Sequence, residues 1–335
     1  MNRVSAIVVI GETPREFSET DRPTQADKLA PFFAELELLG SSPLQRTVDR
    51  LESVGVERIV VISSGRVRAN VNPGTMHLAA EDSDSAWELA AQIARSHSEE
   101  GSDLVLIMRL GAYVEFSLDR VIENHRERSK GITRLWDQLG ALDIWLIDSE
   151  RIRRCQHLIS ARDLLIERAS RCVACSYVNR LSSALDLRRL AIDIMLMRCA
   201  TRPNGTQVKP GVWVEPSAQI DRTVRLVGPS YVGRNTRVRP SVLLTRLSHV
   251  ESDCDIDSGT VIEDSSILSN TYIGPSLDVT HAIVCGSHIT NLKKNVALEV
   301  LDPLLISSAS SGSGSKPVRH RAMATQWMGR FVQTS

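Results

Sequence analysis

Aromatic residues, net charge and long apolar runs are all scarce in this chain of 335 residues. Phe, Trp and Tyr together make up 4% of it, which indicates a core packed by aliphatic side chains. The 40 basic residues balance the 40 acidic ones, so bulk charge gives no sign of nucleic-acid binding. The best apolar run, Ala6–Ile10, is too short to cross a bilayer or to form the core of a signal peptide.

Cysteine is sparse as well. Six cysteines are scattered along the chain without the spacing of a disulfide framework, so we expect reduced thiols in a cytoplasmic protein. Cys172 and Cys175 have CxxC spacing, but zinc needs four ligands and no second pair fits. We therefore expect buried structural thiols there.

Up to about residue 200, strand-like and helix-like segments alternate. Val4–Ile10 and Arg58–Ser63 have the continuous apolar character of buried parallel strands, and Leu44–Val54 has the spacing of an amphipathic helix. This alternation predicts an α/β domain with a mostly parallel sheet over residues 1–200. Leu181–Met197 is expected to be its last long helix.

After residue 207 an apolar residue recurs at every sixth position. Ten positions share this period: Val208, Val214, Ile220, Leu226, Val232, Val238, Leu244, Val250, Ile256 and Ile262. One apolar residue in six indicates one inward side chain per short strand and three strands per coil, as in a left-handed parallel β-helix. We expect it over residues 207–300, in roughly five coils that fold as one body, with a loop or bulge near Leu268–Ile273.

The composition changes again over residues 307–335. Ser307–Ser315 has the composition of a flexible linker. The segment Lys316–Ser335 has no acidic residue, and its basic residues and its apolar residues on one predicted helical face are Lys316, Arg319, Arg321 and Arg330, and Met323, Trp327, Met328 and Phe331. It is either a docking segment for an anionic membrane or a partner protein, or a disordered end.

An α/β domain followed by hexapeptide repeats resembles the sugar-nucleotide pyrophosphorylases, which join a nucleoside triphosphate to a sugar 1-phosphate. The resemblance is closest to the GDP-mannose and related pyrophosphorylases, and it implies a Rossmann-like nucleotidyltransferase domain in truncated form. The segments that carry it are Gly40–Leu44, Arg50–Val61, Glu123–Arg128, Ile132–Leu135, Asp143–Asp148 and Gly211–Val238.

The phosphate-binding loop of that family reads GGxGTRL after the first strand. Here the loop is Ile10–Phe17, in which only Gly11 and Arg15 match, and Pro14 has no N–H to donate to a phosphate. Lys28 is the candidate replacement for the family's lysine at the sugar phosphate, although no proline follows it. The resemblance thus implies a vestigial nucleotide-binding set of three residues.

The family binds Mg²⁺ through two aspartates, since this ion takes hard oxygen ligands. Matching the flanking residues places Gly111 at the first aspartate and Arg180 at the second. Neither side chain can hold the ion, so we expect no catalytic residue, no metal and no cofactor. Glu115 is either a displaced metal ligand or an exposed carboxylate at a strand end.

These departures favour a catalytically degenerate protein with a regulatory or assembly role in sugar-nucleotide or polysaccharide biosynthesis. It would form a homo-oligomer, with Val242–Leu244 as a candidate contact, or pair with an active pyrophosphorylase. One alternative is a divergent active NDP-sugar pyrophosphorylase that needs Mg²⁺. Another is a hexapeptide-repeat acyltransferase with His249, His281 or His288 as base, although a surface turn suits each histidine better.

Overall fold

The computed structural model describes residues 3–10, 36–64, 74–128, 131–155, 161, 169–294 and 296–309. The chain divides into two compact units. The first comprises Met1–Leu36 and Ser42–Ser182, and the second comprises Glu37–Ser41 and Ser183–Ser335. The first unit is built of strands and helices in alternation, whereas the second consists mostly of short strands.

The first unit contains nine described strands and four described helices. The strands are β1 (Val4–Ile10), β2 (Arg58–Ser64), β3 (Met76–Ala80), β4 (Leu104–Arg109), β5 (Tyr113–Phe116), β6 (Ile132–Trp136), β7 (Ala141–Asp148), β8 (Ser170–Cys172) and β9 (Cys175–Asn179). The helices are α1 (Pro43–Ser53), α2 (Ser83–Glu99), α3 (Leu118–Arg128) and α4 (Ser149–Arg154).

Seven of these strands form one sheet in the order β3-β2-β1-β4-β7-β6-β8. Strands β3, β2, β1 and β4 pair in parallel, as the sequence predicted, and β6 pairs in parallel with β8. Strand β7 runs antiparallel to both neighbours, so the sheet is mixed. Strands β5 and β9 form a separate antiparallel ladder.

Strand β1 is buried along its whole length because helices cover both faces of the sheet. Its residues alternate between two apolar clusters: Val8 packs with residues of α1, and Val9 packs with residues of α2. Helix α1 begins where the sequence predicted. The Ser42 hydroxyl caps the Gln45 amide at 3.0 Å, and Pro43 occupies the first turn.

The second unit contains one described helix, α5 (Ala184–Met195), and seventeen described strands. The strands are β10 (Thr206–Lys209), β11 (Val212–Val214), β12 (Gln219–Ile220), β13 (Arg225–Leu226), β14 (Ser230–Val232), β15 (Arg237–Val238), β16 (Leu243–Thr245), β17 (Ser248–Val250), β18 (Asp255–Ile256), β19 (Val261–Glu263), β20 (Ser266–Ile267), β21 (Thr271–Ile273), β22 (Asp278–Thr280), β23 (Ala282–Cys285), β24 (His288–Asn291), β25 (Val296–Glu299) and β26 (Ile306–Ser308).

From β11 to β23, each strand pairs in parallel with the strand three places later, which produces three sheets. Val232 pairs with Val250, and Val238 pairs with Ile256, so one coil takes 18 residues, or three hexads. The apolar residues of the hexads pack together in one core cluster. The left hand of the coil stays a prediction. Val242 and Leu244 face this core, which leaves only Leu243 of the candidate contact partly exposed.

The parallel coils cover less of the chain than the expected residues 207–300. Val208 lies in β10, which pairs antiparallel with β11, and its side chain is exposed. At the other end, β24 and β25 continue the first sheet as antiparallel strands. The chain therefore completes four coils and begins a fifth at β23.

The irregular step in the repeat lies slightly before the expected position. Ile267, rather than Leu268, pairs with Val250 and joins the core cluster. The five-residue step therefore runs from Ile262 to Ile267, and the coil shortens to 17 residues there. The missing residue comes from the corner between β19 and β20, so the inward apolar positions stay aligned.

Helix α5 groups with the coils and not with the α/β unit to which we assigned it. Arg188 on this helix is 4% exposed, and its guanidinium donates to the Leu247 carbonyl at 2.6 Å and to Asp264 Oδ1 at 2.8 Å. The second unit consequently begins at Ser183, earlier than the predicted boundary between residues 200 and 207.

The short segment Glu37–Ser41 belongs to this second unit as well. The amides of Leu39 and Gly40 donate to the carboxylate of Glu251 at 2.6 and 3.2 Å, and the Glu251 side chain is fully buried. The side-chain amide of Asn204 donates to the Gly40 carbonyl at 2.8 Å. These bonds satisfy a buried carboxylate, which is costly to leave without donors.

All six cysteines lie within the described ranges and none of them forms a disulfide. Cys172 is buried and Cys175 is half-buried, as structural thiols would be. Burial, the neighbouring Cys172 and Asp137 raise the pKa of Cys175 to about 11. Within these ranges, no helix is both long and apolar enough to cross a membrane.

Candidate functional site

The sequence places both lost aspartate positions in the first unit, and the structure brings them to one end of the β5–β9 ladder. Tyr113 pairs with Asn179 at that end. Gly111 lies two residues before Tyr113, and Arg180 directly follows Asn179. The two positions assigned from separate motifs therefore lie at the same end of one ladder.

A guanidinium occupies the space that a side chain at position 111 would need. Arg109 ends the central strand β4 and is 8% exposed. A Cβ atom on Gly111 would lie 2.9 Å from Arg109 Nη2 and 3.1 Å from its Cζ. Glycine at position 111 and arginine at position 109 thus depend on each other sterically.

Two arginines bind the carboxylate of Asp143, which lies near the start of β7. Arg109 donates from Nε and Nη2 to Asp143 Oδ2 at 2.9 and 2.6 Å. Arg134 on β6 donates from Nη2 to Asp143 Oδ1 at 2.9 Å, and its guanidinium lies 4.8 Å from the Trp145 ring centroid. Burial lowers the pKa of Arg134, while Asp143 opposes this effect.

Arg180 makes a second ion pair at the turn between β6 and β7. It donates from Nη2 and Nε to the carboxylate of Asp137 at 2.6 and 3.2 Å. Burial alone would raise the pKa of Asp137, but the bonds from Arg180 and from the amides of Leu139 and Gly140 lower it. Arg180 is therefore held in place beside the turn.

Together, three arginines and two aspartates form what we call the arginine cluster: Arg109, Arg134, Arg180, Asp137 and Asp143. Its formal net charge is +1, and Arg109, Arg134 and Asp143 are largely buried. Guanidinium groups bind phosphate and carboxylate oxygens in pairs, whereas a divalent cation would be repelled here. The chemistry available to this cluster is anion binding.

The arginine cluster does not fit a magnesium ion. Within the described ranges, no group of three or more His, Cys, Asp or Glu side chains is placed to hold a metal. Glu115, expected to be either a metal ligand or an exposed carboxylate, is instead 1% exposed on β5 and accepts a bond from the Tyr113 hydroxyl at 2.9 Å.

Several of the predicted site residues lie outside the described residues. These are Gly11, Arg15 and Lys28 of the vestigial nucleotide-binding set, and the whole tail segment Lys316–Ser335. Strand β1 leads towards the first of them and ends at Ile10, whose carbonyl accepts a bond from the Ser64 hydroxyl at 3.1 Å.

The three histidines considered for an acyltransferase differ in environment. His249 was expected at a surface turn but is fully buried, with Nδ1 3.3 Å from Arg188 Nη1. His288 is also buried. His281 is partly exposed, and its Nδ1 lies 2.6 Å from Asp264 Oδ2. A buried imidazole cannot reach a dissolved substrate, so only His281 is placed to contact one.

Sequence reasoning missed Arg109, Arg134, Asp137 and Asp143. The one available signal was Arg109 itself, a charged residue that directly follows the buried run Leu104–Met108. A charge at the end of a buried strand needs a partner. The partners come from the β6–β7 hairpin, and a single sequence does not show which strands become neighbours.

Comparison with known proteins gives two partial matches, and no family model matches the chain. Over 103 residues it is 25% identical to the bifunctional protein GlmU of Pelobacter propionicus, a match that covers 30% of this chain and 22% of that protein. Over 98 residues it is 29% identical to a UTP–glucose-1-phosphate uridylyltransferase of Synechocystis sp., covering 29% of this chain and 25% of that protein.

The chain thus spans about a quarter of the length of the curated relatives it matches. The two similarities support a relation to sugar-nucleotide nucleotidyltransferases, in agreement with the coarser part of the sequence resemblance. They carry nothing specific to GDP-mannose.

Proposed function

We propose that this chain is a nucleotidyltransferase-like protein without metal-dependent turnover, with a regulatory or assembly role in sugar-nucleotide or polysaccharide biosynthesis. The observation that carries the proposal is the contact between Arg109 and Gly111. At the position that the resemblance assigns to a metal aspartate, a guanidinium fills the space of the side chain. A fixed positive charge there disfavours a magnesium ion and the electrostatic stabilisation it supplies.

The arginine cluster supports retained binding of a phosphate-bearing ligand. Arg109 and Arg134 share one carboxylate, which leaves a net positive charge beside the carboxyl end of the central strand. Ligands of open α/β sheets bind at the carboxyl ends of the strands. A nucleotide sugar bound there without turnover would act as a signal, and the protein would pass it to a second copy or to an active pyrophosphorylase.

We also propose the finer architecture that the sequence implies. The first domain is a truncated Rossmann-like nucleotidyltransferase domain, and the coils form a left-handed β-helix. The hexad repeat and the spacing of 17 or 18 residues between paired strands support this assignment. A crystal structure of the protein would determine the hand of the coil.

The first experiment measures turnover by the purified full-length protein. Pyrophosphorolysis of UDP-glucose, GDP-mannose and dTDP-glucose is followed by the nucleoside triphosphate released in the presence of Mg²⁺ and pyrophosphate. We expect no release above the rate without protein, and an active uridylyltransferase serves as positive control. Robust turnover of any of the three would overturn the proposal in favour of a divergent active enzyme.

The second experiment measures binding of UDP-glucose by calorimetry in EDTA and in Mg²⁺. We expect binding that does not depend on the metal and that falls about tenfold in Arg109→Gln, since a charge-assisted hydrogen bond contributes about 1.5 kcal/mol or more. The matched control is Arg58→Gln, which removes a half-exposed arginine paired with Glu100. Equal loss in both variants would contradict a role of the arginine cluster in binding.

A further inference from the structure

The end of the described chain carries a concentration of exposed apolar side chains. Five of the large apolar side chains that are exposed in the described ranges fall within residues 296–305, and we call them the C-terminal patch: Val296, Leu298, Leu301, Leu304 and Leu305. Leu301 is 88% exposed and Leu304 is 72% exposed. Single exposed leucines are ordinary, but a contiguous group marks an interaction surface.

The backbone beneath this patch is held in place. The Gly274 amide donates to the Leu305 carbonyl at 2.7 Å, and the Asp302 side chain accepts from the Leu304 amide at 2.9 Å. A Cβ atom on Gly274 would collide with the Leu304 carbonyl, so glycine is required for the close approach. The next residue, Ile306, is buried. The leucines therefore project outward from an anchored turn.

The chain continues directly beyond this patch. Strand β26 pairs antiparallel with β21, and the Ala309 amide donates to the Asn270 carbonyl at 2.9 Å. Residues 310–335 follow that anchor, beginning with the rest of the Ser/Gly linker. The linker residues between Ala309 and Lys316 span at most about 25 Å, so the tail starts within reach of the patch.

The tail and the C-terminal patch are complementary in chemistry. The patch encloses two exposed acidic residues, Glu299 and Asp302. The segment Lys316–Ser335 has four basic residues and no acidic one. Its four apolar residues have helical spacing, with Trp327 and Phe331 four positions apart. The same segment thus offers an apolar face and the opposite charge.

We propose that residues 316–335 dock on the C-terminal patch of the same chain, with Trp327 and Phe331 against Leu301 and Leu304. Tethering supports this occupant over others, because a short flexible linker gives an effective concentration in the millimolar range. Weak apolar contacts then suffice for docking. This inference is independent of the proposed function, since it concerns the second unit and its own tail.

The test uses the full-length protein with a photo-crosslinking amino acid in place of Trp327. Equal amounts of isotopically light and heavy protein are mixed before irradiation, and the crosslinked peptides are identified by mass spectrometry. We expect crosslinks to residues 296–306 within one chain, with light–light and heavy–heavy peptides only. Mixed light–heavy peptides, crosslinks to other residues or no crosslink at all would overturn docking in the same chain.

Two variants separate docking from an effect on folding. Leu301→Asp with Leu304→Asp should reduce the crosslink at least fivefold, while the circular dichroism spectrum stays unchanged because both side chains are exposed. Leu139→Asp is the matched control, since Leu139 is 82% exposed in the first unit, and it should leave the yield unchanged. An undiminished crosslink in the double variant would contradict the proposal.

A membrane is the rival destination of the tail, and co-sedimentation with vesicles of phosphatidylserine and phosphatidylcholine distinguishes it. A docked tail binds such vesicles weakly, and the double variant should bind them better because its tail is released. Strong vesicle binding that is equal in both proteins would overturn the proposal and assign the tail to an anionic surface.

Discussion

Arg188 and Asp264 are joined by a hydrogen bond of 2.8 Å between Nη2 and Oδ1, although they are 76 positions apart. The pair connects helix α5 to a corner of the coils within the second unit. The same guanidinium also lies 3.2 Å from the Ser266 hydroxyl and bonds to the Leu247 carbonyl. One buried charge therefore organises three separate points of the coil surface.

We expect Arg188→Ala to lower the free energy of unfolding by about 3 kcal/mol, because removing one partner leaves the others buried without it. Arg189→Ala is the matched control: Arg189 is 77% exposed and its nearest carboxylate, Asp193, is 3.8 Å away. That substitution should change stability by less than about 1 kcal/mol. Urea denaturation of both variants measures the difference, and equal losses would contradict the assignment.

The steric dependence between Arg109 and Gly111 predicts non-additive stability. Gly111→Ala should destabilise the protein by about 1–2 kcal/mol, because the new methyl group overlaps a packed guanidinium. In the double variant with Arg109→Ala, the loss should be smaller than the sum of the single losses by about 1 kcal/mol. Gly74→Ala is the control, since a Cβ there meets nothing within 4 Å. Additive losses would show that the two positions are independent.

The buried His249 predicts a loss of stability in mild acid. Burial and then the charge of Arg188 lower the pKa of His249 well below its ordinary value of 6.5, with Glu251 Oε1 3.5 Å from the ring as an opposing charge. Unfolded chains bind the proton below pH 6.5 and the folded state does not, so the free energy of unfolding decreases as the pH falls from 6.5. The slope contributed by one site is at most about 1.4 kcal/mol per pH unit.

His249→Gln should therefore flatten the decrease in stability between pH 6.5 and 5, measured by urea denaturation at several pH values. Ser266→Ala is the control, because it alters another neighbour of Arg188 without removing a titratable group. An unchanged slope in His249→Gln would mean that this ring does not bind a proton on unfolding.

The apolar core and the surface ion pairs of the coils should contribute very differently to stability. Ile256 is fully buried, and Ile256→Ala should destabilise by about 2–5 kcal/mol. Arg239 forms two 3.0 Å bonds to Asp255, but its side chain is 40% exposed. Arg239→Ala should change stability by less than about 1 kcal/mol. Thermal unfolding of the two variants compares them, and a larger loss in Arg239→Ala would contradict this ranking.

The hexad period was readable from sequence because each short strand sends one apolar residue into the core. The ends of the repeat were not, because an antiparallel strand such as β24 also alternates inward and outward residues. Val208 fits the period and yet lies on an antiparallel strand with an exposed side chain. Period alone specifies spacing but not strand direction.

Burial by a neighbouring element explains the residues that sequence reasoning misplaced. His249 is the middle residue of β17 and faces away from the core residue Val250. Its position reads as a surface site until helix α5 brings Arg188 beside it. Glu115 was likewise expected at the surface and is buried on β5. A single sequence does not show which face of a sheet another segment covers.

The contribution of Glu37–Ser41 to the second unit limits how the protein can be dissected. A fragment that starts at Ser183 contains all the coils, but it lacks the amides of Leu39 and Gly40 that bond to Glu251. Its buried carboxylate would lose two donors that the intact chain supplies. Expression of the coils alone therefore calls for a design that restores this strand of five residues, for example by joining it ahead of Ser183 through a flexible linker.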